Sequence, residues 1–458
     1  MRLLIPIVAK PFNLGKAKLL FLFIGILCSI VLLCLKYDED FRITSLLPIF
    51  YVLMVVVFVD TNFTDFGIGA LCLVGFYSFR MCIFPVVLAL GNFYFEPSKS
   101  LYINYYAESI YLMCFETFVV FLSAGYFIKK YKRTLVIEKK CLFSKHSLFY
   151  CIFIFLTFIP IATFYLKDID YYHFITEESV ERFVVDEIGL EKQSGFFWFL
   201  SDYLSGLWRP LFSFLVISLG ATYQRERLIY IVGFVALINM LFLSDRRIFA
   251  LTVSVFTMIY FLNMLASKNS KFIIEVAILS MGGVMAYYFL NVYAQQGGIE
   301  MIARSVQRYF SGPSLSALAL AINNRIGVVP GEFFSLLHND FKFLVGFFGY
   351  SETHDYVGMV FWPSKGIWTP FIPGAIRYFG ILFPFPLIFC VWSLIKWDSL
   401  SRKTSDLFYS MIYSYIAFSI AFYLIMYSIE LVFYFIVATG LIMSMMIYYD
   451  KRFKIKIR

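Results

Sequence analysis

Arginine is the residue type on which any chemistry in this sequence turns. The stretch LSDRRIFALT places Asp245, Arg246 and Arg247 at the junction of two apolar runs. Arg304 and Arg308 stand four apart in IEMIARSVQRYF, so they share one helix face and could clamp a single anionic group. Arg325 follows, and Arg80 and Arg209 fall inside apolar runs. A guanidinium donates two parallel hydrogen bonds in a fixed fork and stays charged at any working pH, which suits it to a phosphate or pyrophosphate. Such contacts strengthen in a dry pocket near a membrane surface. The plainer alternative for Arg246 and Arg247 is a helix-end pair that snorkels to headgroups with Asp245 as partner. For Arg304 and Arg308 it is a solvated basic face.

Proton transfer has fewer candidates. His354 and Asp355 adjoin in YSETHDYVG, His338 lies in LLHND, and Glu332 follows a Pro-Gly turn. Any of them could serve as a base, His354 first, or be an ordinary polar loop residue. The four histidines are scattered with no His-x-x-x-His or Glu-x-x-His pair, and the eight cysteines show no metal-ligand spacing and no framework for external disulfides. Neither a metal nor another cofactor is expected.

The elements that position these residues are membrane helices. The chain has 458 residues, of which 61% are hydrophobic and only 15% charged; its mean hydropathy is +0.78. Apolar runs close to the roughly 20 residues that cross a bilayer recur from end to end, so an all-α polytopic membrane protein, one membrane domain over residues 1–458, is expected. About twelve spans are predicted, near residues 19–35, 43–59, 66–90, 108–128, 148–166, 196–219, 228–243, 248–266, 272–292, 374–395, 407–427 and 431–449. The first run is followed by Lys-Tyr-Asp-Glu-Asp instead of a small-residue cleavage site, so it reads as a retained span. With the N-terminus inside, about 23 of the 39 basic residues fall in cytoplasmic connections, among them KKYKRTLVIEKK, Lys396, Arg402, Lys403 and the tail KRFKIKIR. Both termini are therefore expected in the cytoplasm. The net charge of +9 follows from that topology and from anionic lipid, with no nucleic-acid partner.

Two outer segments are long. Residues 167–195 form an acidic loop with eight carboxylates, expected as a short amphipathic helix on the outer surface. Residues 293–373 form a large loop of short helices and turns, broken at Ser-Gly-Pro and packed over the bundle, and a loop of that length usually carries function. Charges inside spans are costly and need a partner or a role. Arg80 and Glu116 lie on consecutive antiparallel spans, so they could form a structural ion pair, with a ligand-binding role for Arg80 as the alternative. Asp202 and Arg209, seven apart, occupy one face of a span kinked by Pro210 and could line a groove. Trp362 and Trp368 are outer-loop aromatics that could stack on a flat ligand.

Taken together, SDRRIFALTVSVF, the loop opening RSVQRYFSGPSLSAL and the close WTPFIPGAIRYFGILF resemble the bacterial O-antigen polymerases. Members of that family are polytopic, have about a dozen spans and one long outer loop near the C-terminal third, and join lipid-linked oligosaccharide repeat units on the periplasmic face of the inner membrane. The resemblance implies a fold like that of the GT-C-type polymerases and ligases. It also implies undecaprenyl-pyrophosphate-linked oligosaccharides as substrates, membrane lipids as surroundings and a chain-length regulator as a further partner. Carried onto these residues, it makes Arg247, Arg308 and His354 catalytic, and Arg246, Arg304, Arg80, Arg209 and Arg325 ligands of pyrophosphate or glycan. One departure is that the return into the membrane usually has an acidic residue before its glycine, where this chain has Arg377-Tyr378-Phe379-Gly380. A flippase for lipid-linked oligosaccharides would share the composition but should show two related halves and short loops. An O-antigen ligase shares the architecture, and a membrane acyltransferase would need an intramembrane histidine.

Overall fold

The computed structural model describes residues 14–35, 37–60, 66–95, 99–131, 298–328, 370–426, 429–434, 436 and 440–452. These residues are helical throughout, with no strand among them. The N-terminal part comprises α1 (Leu14–Cys34), α2 (Leu46–Phe58) led by a 3-10 turn Glu39–Ser45, α3 (Ile68–Ser78), a π turn Phe79–Ile83, α4 (Phe84–Leu90) and α5 (Tyr106–Tyr131). The C-terminal part comprises α6 (Ile299–Tyr309), α7 (Pro313–Ile326), α8 (Phe371–Phe379), α9 (Pro384–Lys403), α10 (Leu407–Met426), α11 (Ile429–Tyr434) and α12 (Gly440–Arg452).

Four helical stretches among the described residues are long and apolar enough to cross a membrane: Glu39–Phe58, Ile68–Leu90, Ile103–Tyr131 and Leu407–Ile425. Their composition explains both helix and location. Backbone groups satisfied within the helix leave only side chains to face the surroundings, and these are apolar nearly all round. Phe23, Ile30 and Leu33 of α1 and Val56 and Val57 of α2 are exposed, an apolar surface of the kind that suits lipid tails. Five expected spans, near 19–35, 43–59, 66–90, 108–128 and 407–427, coincide with these helices or with α1. The apolar part of α1, Lys18–Cys34, is the shorter. The expected spans near 148–166, 196–219, 228–243, 248–266 and 272–292, and the acidic loop 167–195, lie outside the described residues.

The expected span 374–395 is not one helix. Residues Phe371–Leu382 and Pro384–Lys403 meet at a bend of 114°. Gly380 takes a left-handed φ of 54°, and Pro384 then opens α9 within its first turn. Proline has no N–H to continue the helix before it, while its fixed φ suits a helix start. The straight helix therefore begins about ten residues later than hydropathy suggests and runs on through Asp398 to Lys403. Near 431–449 the described residues form the separate helices α11 and α12.

Two ends of the bundle can be told apart. At one, the carboxylate of Asp398 accepts hydrogen bonds from the N–H groups of Gly69 (3.2 Å) and Ala70 (2.8 Å), capping α3 from a neighbouring helix. A Cβ on Gly67 would stand 2.6 Å from the Asp398 carboxyl carbon, so this approach needs glycine. Ser401, Ser410 and Ser414 join α9 to α10 there through hydroxyl contacts of 2.9 and 2.8 Å. Lys129, Lys130, Lys396, Arg402 and Lys403, all assigned to the cytoplasmic side from sequence, gather at this end, and Lys18 of α1 donates to Val56 O near the end of α2. The opposite end carries the connections from α1 to α2 and from α4 to α5.

Candidate functional site

Helices α6 and α7 form a hairpin that enters the bundle from this second end and returns to it. Helix α6 runs antiparallel to α4. At its start, Ile299 and Ala303 pack so close to Gly91 that a Cβ there would lie 2.5 Å from that of Ala303. At its foot, Phe310 meets Phe84 with ring centroids 4.5 Å apart. The chain reverses at Ser311-Gly312, where Ser311 has a φ of 52°. The Gln307 side chain then accepts from the Ser314 N–H (3.0 Å) and donates to its hydroxyl (2.7 Å), supplying the cap that Gly312 cannot. Helix α7 climbs back until Asn324 donates to Tyr105 Oη (2.6 Å) at the head of α5. Every residue from Ser311 to Asn323 is buried. The alternating small side chains of SLSALALA let the neighbouring backbones close in.

The foot of the hairpin rests on buried charge. Arg80 Nη1 donates to Glu116 Oε1 at 2.6 Å, and the same oxygen accepts from Tyr77 Oη at 2.7 Å. The two charged side chains are 3% and 1% exposed. Arg80 Nη2 reaches Ser311 O, the reversal of the hairpin, at 3.5 Å. Arg80 Nε has no hydrogen-bond acceptor among the described residues. Arg80 lies in the π turn, where Phe84 N–H bonds back five residues to Phe79 O. Such single-turn insertions rotate the following residues and recur at functional positions. The ion pair foreseen between consecutive spans is thus formed, and it neutralises Arg80 within the bundle.

The other sequence candidates divide as follows. Arg304 is half-buried on α6, with Nη1 4.0 Å from Met301 Sδ. Arg308 stands one turn nearer the foot of the same helix. Arg325 is exposed in the last turn of α7, an ordinary place for a cation beside the free carbonyls of a helix end. Arg246, Arg247, Arg209, His338, His354, Asp355, Glu332, Asp202, Trp362 and Trp368 lie outside the described residues. Hence the structure brings together Arg80, Glu116 and the arginine-bearing α6, and is silent on Arg247 and His354.

Sequence reasoning passed over two side chains and left a third, Arg377, without a role. Tyr77 sits one turn before Arg80, the spacing at which two side chains reach one acceptor. Gln307 ties the two arms of the hairpin together and has no signal in hydropathy. Arg377 on α8 is 1% exposed, the largest fully buried side chain described. The sequence placed it at the start of the span expected near 374–395 and marked it as a departure from the family's acidic residue, without giving it a partner. No family model, curated protein or solved structure matches the chain.

Proposed function

We propose that the chain is an O-antigen-type polymerase, a glycosyltransferase that moves a growing glycan from undecaprenyl pyrophosphate onto an incoming lipid-linked repeat unit at the periplasmic face of the inner membrane. The observation that carries this reading is the hairpin: a helix bearing Arg304 and Arg308 packs into a bundle of membrane-length helices and ends on a buried ion pair. Basic residues cluster at the end opposite the hairpin, so the positive-inside rule sets the hairpin toward the periplasm and the termini in the cytoplasm.

In the transfer, an acceptor hydroxyl attacks the anomeric carbon of the donor glycan and the bond from that carbon to the pyrophosphate oxygen breaks. Its electron pair leaves with the pyrophosphate, and the hydroxyl proton passes to a base, assigned to His354. Arg247 and Arg308 balance the charge that grows on the leaving group. Arg246, Arg304, Arg209 and Arg325 hold pyrophosphate or glycan, and a chain-length regulator acts as partner. The role of Arg80 is indirect: paired with Glu116, it sets the depth of the hairpin. No metal or cofactor enters these steps.

The test is the surface-polysaccharide ladder on a gel from cells lacking the gene, complemented with the intact chain, Arg247→Ala or Arg308→Ala. The expected result is glycolipid capped by a single repeat in the deletion, restoration by the intact chain, and failure of both variants, since losing one such donor costs about a hundredfold in rate or more. Loss of even the single-repeat band, with lipid-linked repeats accumulating inside, overturns the polymerase in favour of a flippase.

A further inference from the structure

The hairpin end holds a cavity of about 340 Å³, within the range of roughly 300–1,000 Å³ typical of small-ligand sites. Its walls are aromatic: Tyr37 and Phe41 from the connection of α1 to α2, and Phe93, Tyr94, Phe95 and Tyr102 from the connection of α4 to α5. The rings hold one another in place. Phe41 stacks on Phe93 with centroids 4.4 Å apart, Tyr37 leans on Phe93 at 5.4 Å, and Phe95 meets Tyr102 edge-on at 5.7 Å. Tyr94 is 40% exposed and reaches the opening. Asn92 and Phe93 both take left-handed φ values, 51° and 53°. A left-handed phenylalanine is a true outlier and persists only where the surrounding structure holds it, here through the Phe93 N–H to Leu88 O bond of 2.7 Å and the stack on Phe41.

We propose that this cavity seats one neutral pyranose ring of a glycan. Three features select that class. The charged lining is Asp38 against Lys99, with no excess of positive charge to draw a phosphate. The Lys99 ammonium is already held by Asp38 and, at 2.7 Å, by Asp40. The place for a ligand cation is filled too, because Lys99 Nζ itself lies 4.9 Å from the centre of the Phe41 ring. What remains is a flat apolar wall with carboxylate, amide and ammonium groups at its edge. A sugar ring matches it: the C–H face packs on an aromatic ring while hydroxyls bond Asp38, Asn92 and Lys99.

The seat builds on the polymerase reading and adds a glycan contact beside the root of α6. Gly91, the residue before Asn92, packs on the root of α6.

The test is saturation-transfer NMR on the full chain in detergent micelles, with the methyl pyranosides of glucose, galactose, mannose, rhamnose and N-acetylglucosamine as probes and phosphocholine beside them. At least one pyranoside should receive saturation, and Tyr94→Ala and Asp38→Asn should each weaken its binding tenfold or more. Tyr126→Ala, exposed on the distant part of α5, should leave it unchanged. No saturation of any pyranoside, or binding indifferent to Tyr94 and Asp38, overturns the seat. Phosphocholine binding in place of sugar also overturns it and makes the cavity a headgroup site. The ladder experiment fails separately: a flippase result with positive NMR removes the polymerase and keeps the sugar seat, and a polymerase result with negative NMR does the reverse.

Discussion

Glu116→Gln tests whether the buried pair sustains the bundle. In the native protein one carboxylate oxygen accepts from both Arg80 and Tyr77, and both charges are out of reach of water. Gln keeps the shape and one carbonyl acceptor but removes the negative charge. The guanidinium of Arg80 is left buried with its long 3.5 Å contact to Ser311 O. Breaking a buried pair from one side costs about 3–5 kcal/mol, whereas replacing the whole cluster with apolar groups of like volume is often neutral or stabilising. At about 1.4 kcal/mol per tenfold, the single change should shift the folded population by roughly 10²–10⁴. The triple variant Tyr77→Phe/Arg80→Met/Glu116→Leu should recover most of the loss. The assay is the thermal midpoint of detergent-purified protein followed by size-exclusion, scored beside the polysaccharide ladder. A Glu116→Gln midpoint equal to that of the native chain, or a triple variant less stable than Glu116→Gln, refutes the reasoning.

Other perturbations have definite outcomes. Gly91→Ala places a Cβ 2.5 Å from that of Ala303 and must push α6 off α4; overpacking of this kind costs about 1–3 kcal/mol, and the ladder should shorten as the midpoint falls. Asp398→Ala removes the carboxylate that caps α3 and should lower stability by about 0.5–2 kcal/mol, read as the same midpoint, with Asp398→Asn in between. The Asp38 carboxyl is held below its ordinary range mainly by hydrogen bonding to Lys99, and the Lys99 ammonium above its own by Asp38 and then Asp40. The contribution of Asp38 is therefore present above its unfolded pKa of about 3.9 and lost as pH falls through its lower folded value, and that of Lys99 is present below about 10.4 and lost as pH rises through its higher one. Pyranoside binding at the outer cavity should accordingly be flat between about pH 5 and 9, and a midpoint near neutrality in an NMR titration would contradict it.

Hydropathy located the helices because a bilayer punishes any other backbone, so α2, α3 with α4, α5 and α10 were legible within a few residues. The pairing of Arg80 with Glu116 was legible for the same reason: two charges in consecutive apolar runs have few other places to go. The break between α8 and α9 was visible as Pro384 and Gly380 but outweighed by the apolar residues on either side. Asp398 looked like a loop residue because the helix that holds it runs beyond the apolar window, and its partners, the N–H groups of Gly69 and Ala70, are more than 320 positions away in sequence.

The hairpin shows where that kind of reading stops and why. Helix α6 has 11 residues and α7 has 14, each too short to cross a bilayer, so a search for spans assigns both to a loop. Yet α7 is buried on all sides from Pro313 to Asn323, and what lets it in is the side-chain volume of Ser, Ala and Leu in alternation, not hydrophobicity. Substituting a bulkier residue on that helix tests the point directly. Ala317 and Ala319 are both fully buried, so Ala317→Leu or Ala319→Leu adds three carbons where no space exists. Each should destabilise by about 1–3 kcal/mol despite making the segment more apolar. If hydropathy alone governed the insertion of α7, either substitution would raise the thermal midpoint; a lowered midpoint assigns the placement of the arginine-bearing hairpin to close packing.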